Sequence, residues 1–503
     1  MSHTFRFNFH QTTAAIVIPA IISSVMPIAL GQVTQADIAT LTQQVTVVIN
    51  GQNPGSGVII GKQGNTYTVL TANHVVASPD EYQIVTADGV EYALNYTKVR
   101  RLPNLDLALV EFTSNQTYAI AEMGDSDIAQ PGTLVYIAGW PHPGIAITER
   151  IFQMTPGQIS GRSQSGTESG YELVYTNITR SGMSGGPVLD TLGRLIGIHG
   201  RAEGQAIYNP DTGDTVDIKS GFNLGIPLDT FIESLEAVDP TVLSTNPSFA
   251  TPLTTAAKQA LGENRVTDAL SLYKRATEVN PEYLEAIFGL GQAYYESGDR
   301  NMALSQFEKA VELTRAEMER LRSLGTVELV AYNNNVNVEL ALGTLLFTSG
   351  DRLEGLNLLV GLLQYNNQLV RDKLFQPDFA SSRLRSDAVP LQQYGEKILS
   401  TEAGELPPEF NQGQVLYELG QVQAAIPYFQ IILDKYKNDP RVMLALAIAF
   451  QETGQSDRAD VLLQEIQSED SQDAVTGESG GWLGIFWSDR LIEKARPLIP
   501  PQT

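Results

Sequence analysis

Three residues in the first half of this 503-residue chain have the types and order that nucleophilic catalysis needs. Ser184 lies in Gly182-Met183-Ser184-Gly185-Gly186-Pro187. Glycines around a serine let a carbonyl group approach the backbone, and they let the N–H groups of Gly182 and Ser184 aim at one point, where an oxyanion would form. A serine hydroxyl is a weak nucleophile and needs a base. His74, in Leu70-Thr71-Ala72-Asn73-His74-Val75-Val76, is the candidate base. Asp106, in Asn104-Leu105-Asp106-Leu107-Ala108-Leu109, opens an apolar run. Its carboxylate can accept from one ring nitrogen of His74 and fix the tautomer, leaving the other nitrogen to take the Ser184 proton.

Composition excludes several other chemistries. There is no cysteine, so disulfides, thiolate metal sites and a cysteine nucleophile are ruled out. The five histidines, His3, His10, His74, His142 and His199, are too few and too scattered for a histidine-rich metal site. No phosphate-cradling loop or dinucleotide fingerprint occurs, and neither a cofactor nor a metal is implied. A formal net charge of −24 repels phosphate backbones and argues against nucleic acid as a partner.

The elements that must position these residues change character along the chain. From about residue 40 to 226, short runs rich in Val, Ile, Thr and Tyr alternate with Gly, Pro and Asn, the pattern of an all-β barrel or sandwich. A helical pattern runs from Asp229 to before Pro240, and residues 238–252, with three prolines, read as an interdomain linker. A helical period follows over 253–468. Ala269, Tyr273 and Ala276 recur 34 positions later as Ala303, Phe307 and Ala310, and Gly420 and Ala425 recur as Gly454 and Ala459. Thirty-four residues is the period of a two-helix repeat that stacks into a solenoid. The match covers 250–314 and 406–468. A degenerate unit is expected around 330–366 after an inserted helix, and an irregular helical insert at about 367–405.

At the N-terminus, Arg6 and His10 precede an apolar run from Ala14 to Leu30, with Ala29 and Gly31 spaced as at a signal-peptidase site. Residues 1–31 therefore read as a signal peptide, with an uncleaved membrane anchor as the alternative. That gives an exported protein, periplasmic or extracellular, whose membrane contact is limited to this segment. The tail, 469–503, starts acidic and glycine-rich and holds an aromatic cluster at 481–487, expected to cap the last repeat.

His74, Asp106 and Ser184, in that order and in those surroundings, resemble the chymotrypsin-like serine peptidases, and in particular the cysteine-free bacterial branch that includes the HtrA and glutamyl endopeptidase types. Gly55-Ser56-Gly57-Val58-Ile59-Ile60 and Gly221-Phe222-Asn223-Leu224-Gly225-Ile226-Pro227 fit the same branch. The resemblance covers about residues 40–235 and implies an all-β double barrel and an endopeptidase acting on protein or peptide. The helical half resembles the tetratricopeptide family, although the family's tryptophan is missing from every unit. It implies a concave face that binds a protein partner or substrate.

In the digestive peptidases an aspartate precedes the nucleophile and pairs with a newly freed N-terminal amine. Here Met183 stands there, so activation by that ion pair is not expected. In the glutamyl endopeptidases a histidine fifteen residues after the serine and a threonine five before it line the S1 pocket. The corresponding residues are His199 and Thr179, which implies cleavage after Glu or Asp. A structural His199 and a pocket for small aliphatic residues stay open. His142, between two prolines, reads as part of a rigid surface loop without chemistry. The rival to an enzyme is an interaction scaffold with a silent peptidase fold.

Overall fold

A computed structural model describes residues 34–163, 169–208, 215–324, 329–359, 361–362, 381–399, 407–436, 439–466 and 488–498. The expected signal peptide and the aromatic cluster at 481–487 lie outside the described residues.

The described residues open with a helix, α1 (Gln35–Val45), where the sequence pattern suggested strand from about residue 40. Thr34 and Asp37 form a capping box, with Asp37 N–H donating to Thr34 Oγ1 and Thr34 N–H to Asp37 Oδ2. Ile38, Thr42 and Val45 recur at helical spacing and are the buried face.

Strands β1 (Thr46–Asn50), β2 (Gly55–Gln63), β3 (Thr66–Ala72), β4 (Tyr82–Val85), β5 (Glu91–Leu94), β6 (Arg100–Arg101) and β7 (Leu107–Thr113) form one sheet in the order β5-β4-β1-β2-β3-β7-β6. Strands β8 (Leu134–Gly139), β9 (Gln153–Arg162), β10 (Leu173–Tyr175), β11 (Pro187–Leu189), β12 (Leu195–Tyr208) and β13 (Thr215–Pro227) close a barrel in the order β10-β13-β12-β11-β8-β9. The expected double barrel is thus one half-barrel and one closed barrel. Each has its own apolar interior, around Ile49, Val69 and Phe112 in the first and Ile137, Leu173 and Ile196 in the second.

Helix α2 (Leu228–Val238) leaves the barrel. The segment read as a linker is packed. It forms 3₁₀ turns over Pro240–Thr245 and Pro247–Phe249 and then enters α3 (Ala250–Gly262). Asn246 Nδ2 donates to the carbonyls of Ile60 at 3.0 Å and Ala121 at 2.9 Å, and Asp239 pairs with Arg100. Phe249 and Leu253 share one buried cluster with Ile60 and Leu109 of the β half and with Ala276 and Ala286 of the helical half.

The helical half continues with α4 (Val266–Val279), α5 (Leu284–Ser297), α6 (Arg300–Ser323), α7 (Leu329–Ser349) and α8 (352–359). It ends with α9 (Ser382–Leu399), α10 (Pro408–Glu418), α11 (Val422–Lys435), α12 (Pro440–Glu452), α13 (Ser456–Ile466) and α14 (Asp489–Ala495). Paired helices touch where a small residue on the first meets an aromatic ring sixteen residues later. A Cβ on Gly291 would sit 2.6 Å from the Phe307 ring, and one on Gly413 would sit 2.4 Å from that of Phe429. The turn between paired helices needs a left-handed residue. Asn264 (φ 60°), Gly298 (86°), Gly420 (78°) and Gly454 (76°) supply it. The residues expected to form an inserted helix before the degenerate unit instead lengthen α6, which runs unbroken for 24 residues. Of the insert expected at 367–405, residues 367–380 and 400–405 lie outside the described residues, and the rest holds α9, packed between α7 and α10. Helix α14 buries Leu491 and Ala495, and its Arg490 pairs with Glu452 at 2.8 Å. Among the described residues no helix is long and apolar enough to cross a membrane.

Candidate active site

The register of two strands places His74 and Asp106. β3 and β7 are antiparallel neighbours, with Ala72 opposite Leu107. The residues just past those ends, Asn73-His74 and Asp106, therefore meet. Asn73 N–H donates to Asp106 O at 3.0 Å. The chain turns there through a 3₁₀ helix, Asn73–Val76, pinned by the buried Val75 and Val76. His74 is left partly exposed, at 39% of its side chain, beside an Asp106 that is 6% exposed.

Asp106 grips His74 with both oxygens. Oδ1 accepts from the His74 backbone N–H at 2.9 Å, and Oδ2 lies 2.7 Å from Nδ1. Tyr171 donates its hydroxyl to the same Oδ2 at 2.6 Å. Burial alone would push the Asp106 carboxyl up. The hydrogen bonds and charge of His74, with that of Tyr171, hold it below the ordinary carboxylate value. An ionised Asp106 makes Nδ1 the protonated ring nitrogen of neutral His74 and leaves Nε2 with a lone pair.

Ser184 sits on a tight turn. Met183 N–H donates to Arg180 O at 3.1 Å, and Gly182 takes φ +95°, which a side chain resists. Gly185 follows at φ +86°, where a Cβ would lie 2.1 Å from Ser56 O. The motif Gly55-Ser56-Gly57 cradles this turn. Ser56 N–H donates to Ser184 O at 2.8 Å, and Ser56 Oγ donates to Gly182 O at 2.8 Å. Among the described residues the amides of Gly182 and Ser184 donate to no partner, as an oxyanion site requires. Ser184 Oγ donates to Gly200 O at 2.9 Å. No hydrogen bond joins it to His74 among the described residues, so the serine–histidine contact expected from the sequence is not made in this conformation.

The model of the trypsin-like peptidase domain family matches residues 55–198, the span that holds all three residues. Residues 55–198 are a trypsin-like peptidase domain. The tetratricopeptide-repeat family matches at 260–325 and 416–475, over helix pairs described above. Among curated proteins, the chain is 30% identical over 152 residues to "Serine protease Do-like HtrA" of Bacillus subtilis, covering 29% of this chain and 32% of that one. It is 28% identical over 163 residues to "Probable periplasmic serine endoprotease DegP-like" of Bartonella henselae, covering 32% and 29%. It is 30% identical over 179 residues to the protein of the same name in Brucella suis, covering 35% and 31%. The chain thus spans about a third of the length of these relatives.

Within the peptidase domain, the residues expected to line S1 are engaged. His199, on β12, is 3% exposed, and its Nδ1 lies 2.7 Å from Tyr175 OH. Tyr175 OH donates its only proton to Leu224 O at 2.9 Å, so Nδ1 of His199 is the donor in their contact. Thr179 donates to Asn223 Oδ1 at 2.5 Å, which occupies its hydroxyl proton. The His142 loop, expected to be a rigid surface loop, is tied down by its own contacts. His142 is half-buried, its Nδ1 accepts from Arg150 at 2.8 Å, and its N–H donates to Ser181 O at 2.9 Å, which packs the loop against the nucleophile turn. Burial, with the Arg150 charge, holds its pKa below the ordinary histidine value. Among the described residues no group of three His, Cys, Asp or Glu side chains is placed to hold a metal.

Sequence reasoning missed Tyr171, Gly200 and the bracing role of Ser56. The signal for Ser56 was present, since a buried serine between two glycines beside a predicted strand invites a backbone role. For Tyr171 there was none, because its contact spans 65 positions.

Proposed function

We propose that this chain is an exported serine endopeptidase that hydrolyses peptide bonds through an acyl-enzyme. The observation that carries the reading is the two-oxygen hold of Asp106 on His74, beside a glycine turn that offers two unpartnered amides. Rotation about the Ser184 Cα–Cβ bond takes Oγ off Gly200 O and towards His74. Oγ then attacks the substrate carbonyl carbon while His74 Nε2 takes its proton. The amides of Gly182 and Ser184 hold the oxyanion. As the intermediate collapses the C–N bond breaks, and His74 returns the proton to the departing amine. Water then attacks the ester by the same route and frees Ser184.

For specificity, cleavage after Glu or Asp is the reading we favour, with His199 as its determinant. Because its Nδ1 proton is committed to Tyr175, His199 can hold a substrate carboxylate only through a protonated Nε2. Thr179 contributes only if its proton leaves Asn223. Export to the periplasm accords with the names of the Bartonella and Brucella relatives and with the N-terminal pattern. The repeats recruit a protein partner or substrate. An open groove of about 620 Å³ between α11, α12 and α13, lined by Ile431, Phe450 and Val461 among others, offers apolar surface for one.

A cleavage-site profile tests the reading. The chain from Gln32 and its Ser184→Ala variant are each incubated with a mixed peptide library and the new termini read by mass spectrometry. Cuts after Glu or Asp that vanish in the variant are expected. Serine-dependent cuts after other residues would remove the acidic pocket. The resting bond of Ser184 to Gly200 favours the second reading, a silent scaffold, and identical profiles from the two proteins would leave that scaffold or an enzyme that waits for a partner on its repeats.

A further inference from the structure

We propose that Tyr171 is a positioning residue for the catalytic pair, holding Asp106 through its hydroxyl on the oxygen that also meets His74, in space that Gly200 leaves open. The inference rests on the peptidase reading above.

Asp106 Oδ2 serves two donors, His74 Nδ1 at 2.7 Å and Tyr171 OH at 2.6 Å. With Oδ1 on the His74 backbone N–H and Oδ2 on Nδ1 alone, both holds come from His74, and the carboxylate can shift together with the ring. A second donor on the same oxygen removes that freedom, and the position of the imidazole follows. Burial and the adjacent Asp106 charge push the Tyr171 hydroxyl far above its ordinary range, so it stays a phenol and donates. The Arg201 guanidinium lies 5.4 Å over the Tyr171 ring, and its Nε is 3.9 Å from Asp106 Oδ2. Tyr171 is therefore clamped between β12 and the carboxylate, at 2% exposure.

Gly200 makes the arrangement possible. A Cβ there would sit 2.0 Å from Tyr171 OH and 2.5 Å from its Cε1, so any side chain would drive the phenol off Asp106. Gly200 takes no left-handed conformation, and backbone strain gives no reason for its lack of a side chain. Room for Tyr171 does. The same residue presents the carbonyl that receives Ser184 Oγ, so one stretch of β12 touches both ends of the triad.

The test uses Tyr171→Phe, which removes one oxygen and keeps the ring under Arg201, with Ser184→Ala run alongside. Two quantities are read in the full chain: kcat and KM on a peptide cut in a Ser184-dependent way, and the low-field proton resonance of His74 Nδ1–H. The expected result is a kcat lower by about ten- to a hundredfold with KM unchanged, and a resonance moved downfield because Oδ2 then serves one donor. Gly200→Ala, which displaces the phenol by steric pressure, should move the resonance the same way. Unchanged kcat in Tyr171→Phe overturns the proposal, whatever the resonance does. So does a lower kcat with an unmoved resonance, which marks a general structural role. A moved resonance in a chain without any serine-dependent turnover would retain the Tyr171–Asp106 hold and discard the peptidase reading.

Discussion

At Asp106 three donors converge on a carboxylate that is almost fully buried, and this makes two outcomes predictable. Its pKa in the folded protein lies below the ordinary value of 3.8. A lowered folded pKa means that the stabilisation is fully present above the unfolded value and is lost as pH falls through the folded one. The melting temperature of the wild type relative to Asp106→Asn is expected to be constant above about pH 5 and to shrink below about pH 4. The same substitution should lower kcat by about four orders of magnitude, because an amide no longer enforces the tautomer. His199 gives a second test. Its Nδ1–H is spent on Tyr175, so recognition of a carboxylate requires the imidazolium. His199→Val should abolish the preference for Glu over Gln at the cleaved position while leaving serine-dependent turnover. A preference that survives in His199→Val would remove His199 from the pocket. The candidate triad was readable as a proposal because each member sits in a short contiguous motif. Tyr171 was not, because its role depends on the register of β12, which sets bare backbone at Gly200 against the phenol.

Among elements, the repeats show why a periodic sequence reads well and where it stops doing so. The contact between a small residue and a ring sixteen positions on fixes each helix pair, and the left-handed turn residue recurs with it. Both are local in sequence, so the repeats were visible without a structure. The capping box of α1 was equally local and was overlooked in a stretch dominated by β signals. The length of α6 was not local, since nothing in its composition distinguishes a longer helix from a helix and an insert. A pair of glycine substitutions tests the packing account. Gly291→Ala places a Cβ 2.6 Å from Phe307 and should cost about 1–3 kcal/mol by overpacking. Gly262→Ala, at the end of α3, meets nothing within 4 Å and should stabilise by about 0.5–1 kcal/mol through helix propensity. Urea midpoints of the two variants are expected to move in opposite directions. Movement in the same direction would contradict the close-approach role of Gly291.

Across the whole molecule, what joins the two halves decides whether a partner on the repeats can be presented to Ser184 in a fixed orientation. A flexible tether would let the halves unfold independently. The junction is instead built like an interior, with Val242, Leu243, Phe249 and Leu253 buried between β2 and the first repeat. Asn246 is its polar keystone. Its amide donates to Ile60 O on one side and Ala121 O on the other, and its Oδ1 accepts from the Ser248 N–H at 3.0 Å. Removing that amide leaves two buried carbonyls without their donor, a cost of about 2–4 kcal/mol for Asn246→Ala. Because the lost bonds tie the peptidase domain to the segment leading into α3, the effect falls on coupling as well as on stability. Calorimetry of the wild type should show the peptidase domain and the adjacent repeats melting together, and Asn246→Ala should separate them into two transitions. Two transitions already present in the wild type would mean that the packed junction does not transmit stability. A partner held by the repeats would then reach Ser184 only as freely as the junction flexes.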